Sequence, residues 1–171
     1  LTSSYTANGF TAYANAAYSV ARGQNWDSSQ FLFSAPDLAY VKNHFISLDH
    51  DQTYTGTAGL SYRFKETQAA STLTYLDIVA GSGLRQTLGG LEAGPGSGPI
   101  PNGSTVPDYY EINIGAEQTF KVAHKQFLKA RLDIVNLTDN IYELRSATGV
   151  GVNAAQYGMR RGLFGTLSYE F

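Results

Sequence analysis

The chain ends in Arg161-Gly162-Leu163-Phe164-Gly165-Thr166-Leu167-Ser168-Tyr169-Glu170-Phe171, and these eleven residues alternate between two kinds of side chain. Every second position, counted back from the end, belongs to an apolar row: Phe171, Tyr169, Leu167, Gly165 and Leu163. The intervening positions are mostly polar, with Phe164 as the exception. Successive side chains of a β-strand point to opposite faces of its sheet. The pattern therefore predicts a strand with one apolar face and one polar face.

The composition fits a β-rich domain and excludes several functional classes. The 171 residues suffice for one domain, and 12 Tyr and 9 Phe against one Met and one Trp are typical of strands rather than helices. The net charge is −2 and acidic and basic residues are intermixed, so the sequence shows no basic patch of the kind that binds nucleic acid. The absence of Cys excludes a disulfide framework and a thiolate metal site. We expect no nucleic-acid partner and no cofactor.

Hydropathy indicates no transmembrane helix, because the chain has no run of ~18 apolar residues. Its mean hydropathy of −0.21 is that of a soluble protein. Transmembrane strands escape this measure, since only alternate residues meet lipid and each segment has ~10 residues. The first residues, Leu1-Thr2-Ser3-Ser4-Tyr5, contain no signal peptide and already have a strand pattern. We expect a processed precursor or a piece of a longer polypeptide.

The clearest strand pattern runs from Asp51 to Lys65. Its even-numbered positions are apolar or small: Tyr54, Gly56, Ala58, Leu60, Tyr62 and Phe64. Fifteen residues of alternation exceed the usual strand of about 5–6 residues and would cross a bilayer core at a tilt of ~45°. Tyr54 at one end and Tyr62 with Phe64 at the other match the two aromatic girdles of transmembrane barrels.

Similar alternation predicts seven strands in all, at 1–5, 10–22, 51–65, 69–81, 108–120, 126–136 and 161–171. Asn8-Gly9 is a tight hairpin signal, and the weaker alternation of 69–81 predicts a β-bulge. Short polar turns alternate with long loops, which lie at 23–49, 84–107 and 146–160. Apolar clusters in the first long loop favour a folded loop over a flexible one.

Two folds fit such strands, a soluble β-sandwich and a membrane β-barrel. Outer-membrane barrels have tight periplasmic turns and long extracellular loops, whereas a sandwich does not require this alternation. In such a barrel the apolar side chains face outward and the charged side chains face inward. This is the reverse of the arrangement in a soluble protein. We therefore interpret the chain as all-β, within an antiparallel up-and-down transmembrane β-barrel.

Three segments resemble the C-terminal end of TonB-dependent outer-membrane receptors: Leu132-Asp133-Ile134-Val135-Asn136-Leu137-Thr138-Asp139-Asn140-Ile141-Tyr142, Gln156-Tyr157-Gly158-Met159-Arg160-Arg161-Gly162 and Leu167-Ser168-Tyr169-Glu170-Phe171. The segment from Asp49 to Gly56 is similar to a strand further upstream in that barrel. The resemblance implies a portion of a 22-stranded barrel in the bacterial outer membrane, with extracellular long loops and a periplasmic C-terminus. It further implies import of a siderophore, cobalamin or saccharide, with energy from TonB acting through a plug.

The chain departs from that family in its strand number and in lacking a plug and a TonB box. Seven strands would leave two unpaired edges in lipid. We therefore expect residues 1–171 to be a C-terminal barrel segment. The remaining barrel and the plug would lie in the same polypeptide or in a separate chain. An eighth strand within Asp37–Leu48 would instead permit a small closed barrel. The alternative function is a small or structural barrel subunit of a membrane assembly, without transport activity.

The candidate ligand or plug contacts are charged residues on the polar faces of two strands, which would line the barrel lumen: Glu111, Glu117, Lys129, Arg131 and Asp133. The candidate loop contacts are Trp26, Tyr40, Arg85, Tyr157 and Arg160. Two further aromatic residues of the first long loop, Phe31 and Phe33, could contact a ligand together with Trp26 and Tyr40. Structural roles remain open for both sets. The lumen charges could pair with one another, the loop aromatics could pack together, and Arg160-Arg161 could pin a loop.

No catalytic or metal site is predicted. The strongest metal-like group is Asp49-His50-Asp51 with His44, but neighbours in an extended segment face opposite sides, so His50 could not join the two carboxylates. A solvated rim explains this group better. The histidines, His44, His50 and His124, have no evident serine partner for a catalytic triad. We expect no enzyme activity.

Overall fold

A single antiparallel sheet organises the chain in this computed structural model, which describes residues 1–26, 34–64, 67, 69–89, 98–123, 126–150, 152 and 154–171. The main sheet contains β1 (Thr2–Ala7), β2 (Phe10–Tyr18), β5 (Tyr54–Phe64), β6 (Ala70–Gly81), β9 (Tyr109–Ala123), β10 (Gln126–Val135) and β13 (Gly162–Glu170). The connections contain β3 (Arg22–Gly23), α1 (Ala35–Asn43), β4 (Ile46–Ser47), β7 (Arg85–Leu88), β8 (Ile100–Thr105), β11 (Glu143–Arg145) and β12 (Gln156–Tyr157). The predicted all-β class and the seven principal strands are confirmed.

The main sheet has the order β1-β2-β5-β6-β9-β10-β13, with every neighbouring pair antiparallel. Its register aligns the apolar positions of all seven strands. One row of partners crosses the whole sheet through Tyr5, Ala12, Leu60, Leu76, Ile114, Ile134 and Leu163. Because side chains alternate along each strand, the sheet has one continuous apolar face and one polar face.

The apolar face is not covered by any described part of the chain. Leu60 is 50% exposed, Leu132 52% and Leu167 73%. The buried hydrophobic side chains instead belong to the long connections: Val41, Ile46, Val106, Val150 and Val152. The described core therefore lies in the loops, and the sheet contributes no buried hydrophobic residue to it.

Short and long connections alternate along the sheet, as the sequence predicts. Asn8 and Gly9 link β1 to β2 with φ of 49° and 80°, and two positive φ values are what a type I′ hairpin requires. The long connections join β2 to β5, β6 to β9, and β10 to β13, so all three leave the same rim of the sheet. In the described part of the chain, no helix is long and apolar enough to span a membrane.

Two predicted strands are shorter than their alternation suggests. β2 ends at Tyr18 instead of Arg22, and β5 begins at Tyr54 instead of Asp51. The reason is that Asp51 leaves the ladder: it accepts hydrogen bonds from the Ala21 N–H and from Arg85 in another loop. The alternation in the sequence therefore continues into residues that make their hydrogen bonds within the long connections and not within the sheet.

One further expectation is wrong, and one alternative is not found. β6 has no bulge, because it keeps one register with β5 and β9 along its length. Its alternation is weak since Leu73 and Tyr75 lie on the polar face with Asp77. The segment Asp37–Leu48 does not supply an eighth strand to the sheet. It forms most of α1, which Ser34 caps by accepting the Asp37 N–H, and then β4, which pairs with β3.

Candidate functional site

The three long connections pack together into one unit, which we call the loop cluster (the described residues of 19–53, 82–108 and 136–161). Val41 and Ile46 from the first connection pack with Val150 from the third, and Trp26 and Tyr40 lie against them. Two of the predicted ligand contacts, Trp26 and Tyr40, therefore contribute to the packing of a folded loop. This is the structural alternative that the sequence leaves open.

Asn102 joins all three connections through its side chain. It lies on the second connection and is only 2% exposed. Its Nδ2 donates to the Ser47 carbonyl at 2.9 Å, and its Oδ1 accepts the Val150 N–H at 2.9 Å. Its φ of 52° lies in the left-handed region, which Asn adopts more readily than most residues. One amide thus satisfies backbone groups from the first and third connections.

A buried ion pair links the first and second connections. Asp51 is 1% exposed and accepts from Arg85 Nη2 at 2.6 Å and Nε at 3.0 Å, and the Ala21 N–H donates to its other oxygen at 2.8 Å. Burial favours the neutral acid, but the bonds from Ala21 and Arg85 outweigh it and hold the pKa of Asp51 below its ordinary value. Arg85, a predicted ligand contact, is therefore engaged by Asp51.

The Asp49-His50-Asp51 segment does not have the extended geometry that was expected from the sequence. The segment turns instead of extending, so His50 Nδ1 lies 2.8 Å from Asp49 Oδ1. Asp49 Oδ2 lies 3.7 Å from Arg145 Nη2. The expected solvated rim is wrong for the two aspartates, which are buried, although His50 is exposed. The described residues contain no group of three His, Cys, Asp or Glu side chains that could hold a metal ion.

On the polar face, Arg131 is the centre of a second cluster. Its Nε donates to both Asp133 oxygens at 2.8 and 3.0 Å, and its Nη2 donates to the Tyr75 hydroxyl at 2.6 Å. The guanidinium carbon also lies 4.9 Å from the centre of the Tyr75 ring, within the range of a cation–π contact. Asp133 therefore neutralises Arg131 along the same strand.

Glu117 lies directly opposite Arg131 in the register but does not pair with it. Among the described residues, the Glu117 carboxylate makes no hydrogen bond. It borders an open groove of about 290 Å³ that is lined by Ser61, Leu73, Tyr75, Asp77, Glu117 and Arg131. The groove thus brings together two of the five predicted lumen contacts, with a carboxylate left accessible.

The other predicted lumen contacts lie at opposite ends of the sheet. Near the long loops, the Tyr142 hydroxyl donates to Glu111 at 2.8 Å, and the Tyr142 ring stacks on Tyr109 with centroids 4.9 Å apart. Burial and the Glu111 hydrogen bond raise the pKa of Tyr142 to about 12. At the other rim, Lys129 pairs with Glu170 at 2.7 Å. Lys129 pairs in the register with Thr119, which lies eight residues or ~26 Å along β9 from Glu111, so the five residues do not form one site.

Of the remaining predicted loop contacts, Tyr157 is 62% exposed and Arg160 anchors a bend. Arg160 donates to both oxygens of Asp139, at 2.8 and 2.6 Å, and the Arg161 N–H donates to Oδ1 at 3.0 Å. The Arg160 bonds, followed by the Arg161 N–H, hold the pKa of Asp139 far below its ordinary value. Arg160-Arg161 pins a loop, which is the structural role that the sequence leaves open.

Several important residues were not identified from sequence. Asn136 is fully buried, and its Nδ2 donates to the Asn140 and Met159 carbonyls at 2.9 and 2.8 Å. The available signals were modest: Asn102 precedes a glycine, and Asn136 begins a polar bend in the segment that resembles the receptor family. Phe31, Phe33, His124 and the residues at 90–97 lie outside the described residues.

Comparisons with protein-family models, curated proteins and solved structures found no match to the chain.

Proposed function

We propose that this chain forms a C-terminal wall segment of a TonB-dependent receptor in the bacterial outer membrane. The receptor imports a scarce ligand of the siderophore, cobalamin or saccharide class, and TonB supplies energy through a plug. One observation carries the proposal: a single apolar face runs across all seven strands, while the described hydrophobic core lies in the loops. The motif resemblance at 132–142, 156–162 and 167–171 directs it to this family.

The uncovered apolar face favours a lipid environment over water. Soluble monomers rarely expose contiguous apolar patches larger than a few hundred Å², and here the face includes strongly exposed side chains on several strands. Aromatic residues also mark its two ends: Tyr18 pairs with Tyr54 near the loops, and Phe10 pairs with Tyr62 near the turns. Eight residues separate Tyr54 from Tyr62, or ~26 Å along the strand, which at the ~35–45° tilt of barrel strands covers ~20 Å of the ~25 Å apolar band of outer-membrane barrels.

The polar face has the character of a barrel lumen. Tyr13 donates to Asp77 at 2.7 Å, and Arg131 is held by Asp133 and Tyr75, so polar groups pair with one another along the strands. Such side chains suit a water-filled or plugged interior. In this proposal, a plug or ligand would contact the polar face at the groove beside Glu117.

The two outer strands of the sheet require neighbours in this proposal. β1 and β13 each pair on one side only within the described sheet. Backbone groups in hydrocarbon must be hydrogen-bonded, and an open sheet edge does not meet that condition. The proposed receptor therefore includes further barrel strands beside both, and the plug, in the same polypeptide or in a separate chain.

The decisive experiment uses the absence of native Cys. Single-cysteine variants at Leu132 and Leu167 on the apolar face, and at Arg131 and Thr166 on the polar face, are labelled in outer membranes. We expect an aqueous maleimide to label the two cysteines on the polar face. At the two cysteines on the apolar face, we expect a lipid-soluble quencher to reduce the fluorescence of an attached label. Equal aqueous labelling of all four positions would overturn the membrane assignment.

Uptake measurements then separate the two functions that fit such a barrel. Cells carrying the intact protein, with and without TonB, are tested with labelled siderophores, cobalamin and oligosaccharides. TonB-dependent uptake of one class supports the receptor. A correctly inserted protein without uptake of any class favours the alternative, a structural barrel subunit.

A further inference from the structure

A second groove lies on the polar face, at the rim of the long loops, and we call it the loop-side groove. Its volume is about 500 Å³, within the ~300–1,000 Å³ range of small-molecule sites. The groove forms because the partners at this level, Ala17, Thr55 and Gly81, have small side chains. Four neighbouring strands contribute the polar-face residues in its lining: Asn15, Ala17, Thr55, Thr57, Val79 and Tyr109.

The Tyr109 ring forms a fixed wall of the loop-side groove. It lies against Gly81, its partner in the register, and Tyr142 stacks on it with centroids 4.9 Å apart. Its hydroxyl accepts from Gln52 Nε2 at 3.3 Å and donates to no group in the described part of the chain. Gln52 is itself held by the Ser82 carbonyl at 2.6 Å. The ring is therefore ordered before a ligand binds, which lowers the cost of binding.

The polar groups of the loop-side groove are uncharged, and several are unused. Asn15 Nδ2 donates to the Thr57 hydroxyl at 3.0 Å, which leaves the Asn15 carbonyl oxygen and the Thr57 proton available. The Thr55 hydroxyl makes no hydrogen bond with any described residue. The lining contains no Asp, Glu, Lys, Arg or His side chain. A charged ligand would therefore lose hydration without gaining a side chain of opposite charge.

We propose that the loop-side groove binds a neutral oligosaccharide. This inference rests on the proposed function and selects one of its three ligand classes. Sugar hydroxyls both donate and accept hydrogen bonds, as do the hydroxyls of Thr55, Thr57 and Tyr109. The C–H groups of a sugar ring would pack against Val79. The negative charge of a ferric catecholate, or of the phosphodiester in cobalamin, would find no basic side chain in the lining.

The test measures binding of maltotriose, cellotriose and mannotriose to the intact protein purified from membranes, by isothermal titration calorimetry. We expect at least one of these sugars to bind. T55V should weaken its binding about three- to tenfold, because it removes one hydroxyl and keeps the β-branched shape. A17W should abolish binding, since the indole would cover the partner Thr55 and fill the groove. T119V is the matched control, because Thr119 lies on the same face near the short turns.

Each outcome decides between the proposals. Sugar binding that T55V and A17W leave unchanged overturns the loop-side groove as the site. Binding of a ferric catecholate or cyanocobalamin, with no binding of any of the sugars, overturns the carbohydrate assignment and leaves the receptor proposal intact. Failure of all these ligands to bind also overturns the carbohydrate site. A protein that does not insert into membranes overturns the receptor proposal, whether or not a sugar binds. Far-UV circular dichroism verifies that A17W keeps its sheet, and T55V provides the comparison if it does not.

Discussion

The Tyr75 ring lies across Gly115 of the neighbouring strand, its direct partner in the register, so that a Cβ on Gly115 would overlap the phenol and approach Asp133. The same arrangement occurs two strands away in the sheet, where Tyr13 lies across its partner Gly59 and bonds Asp77. In both places, a tyrosine crosses a glycine toward an aspartate two strands away. These two mid-strand glycines therefore accommodate rings that connect three strands on the polar face.

Replacing Gly115 by Ala should destabilise the sheet. The new Cβ displaces the Tyr75 ring and with it the Arg131 to Tyr75 hydrogen bond, an overpacking cost of about 1–3 kcal/mol. Urea unfolding followed by far-UV circular dichroism of the sheet measures the change. G165A is the matched control, because a Cβ at this other mid-strand glycine has no atom within 4 Å. Equal stability of the two variants would contradict the role of Gly115.

Replacing Asn102 by Ala should open the whole loop cluster. The substitution leaves the Ser47 carbonyl and the Val150 N–H buried without partners, at a cost of about 1–3 kcal/mol each. Hydrogen exchange should increase near Ser47, near Asn102 and near Val150 together, because one side chain serves all three connections. N43A is the control, since exposed Asn43 makes one weak bond within α1. Faster exchange confined to the second connection would contradict a shared cluster.

The faces of the sheet could be predicted from sequence, whereas the loop cluster could not. Period-2 alternation identifies which side of a strand each residue occupies, so Arg131 and Asp133 were correctly placed on one face. The ends of the strands depend on long-range partners, as Asp51 shows by bonding Arg85. Asn102 and Ser47 are 55 positions apart, and no local pattern indicates that they meet.

The helix α1 was missed for a related reason. Its start signals are present, since Ser34 caps it and Pro36 lies in the first turn. The nine-residue helix, however, has almost no segregation of apolar and polar residues, and its one fully buried side chain is Val41. A short helix of this kind is stabilised by the loops that pack around it, which its own sequence does not reveal.

In the proposed receptor, replacing Glu117 by Gln should lower TonB-dependent uptake without destabilising the protein. The carboxylate makes no hydrogen bond among the described residues, so its loss leaves the sheet intact, but it removes the accessible charge from the groove. We expect a several-fold fall in uptake and unchanged urea unfolding. E170Q is the control, because it removes a carboxylate that is paired with Lys129 at the rim of the short turns. Unchanged uptake in E117Q would exclude a functional contact at this position.

The Asp51–Arg85 pair should make the loop cluster sensitive to acid. The folded-state pKa of Asp51 is depressed, so its stabilising contribution is present above the unfolded carboxyl pKa, roughly 4, and is lost as the pH falls through the lower folded value. Protease cleavage of the loops should therefore increase below about pH 4. D51N should expose the loops at neutral pH, since it leaves Arg85 without its counter-charge, and should flatten the pH profile. D37N, at the exposed start of α1, serves as the control. A D51N profile identical to that of the unmodified protein would show that another group governs acid opening.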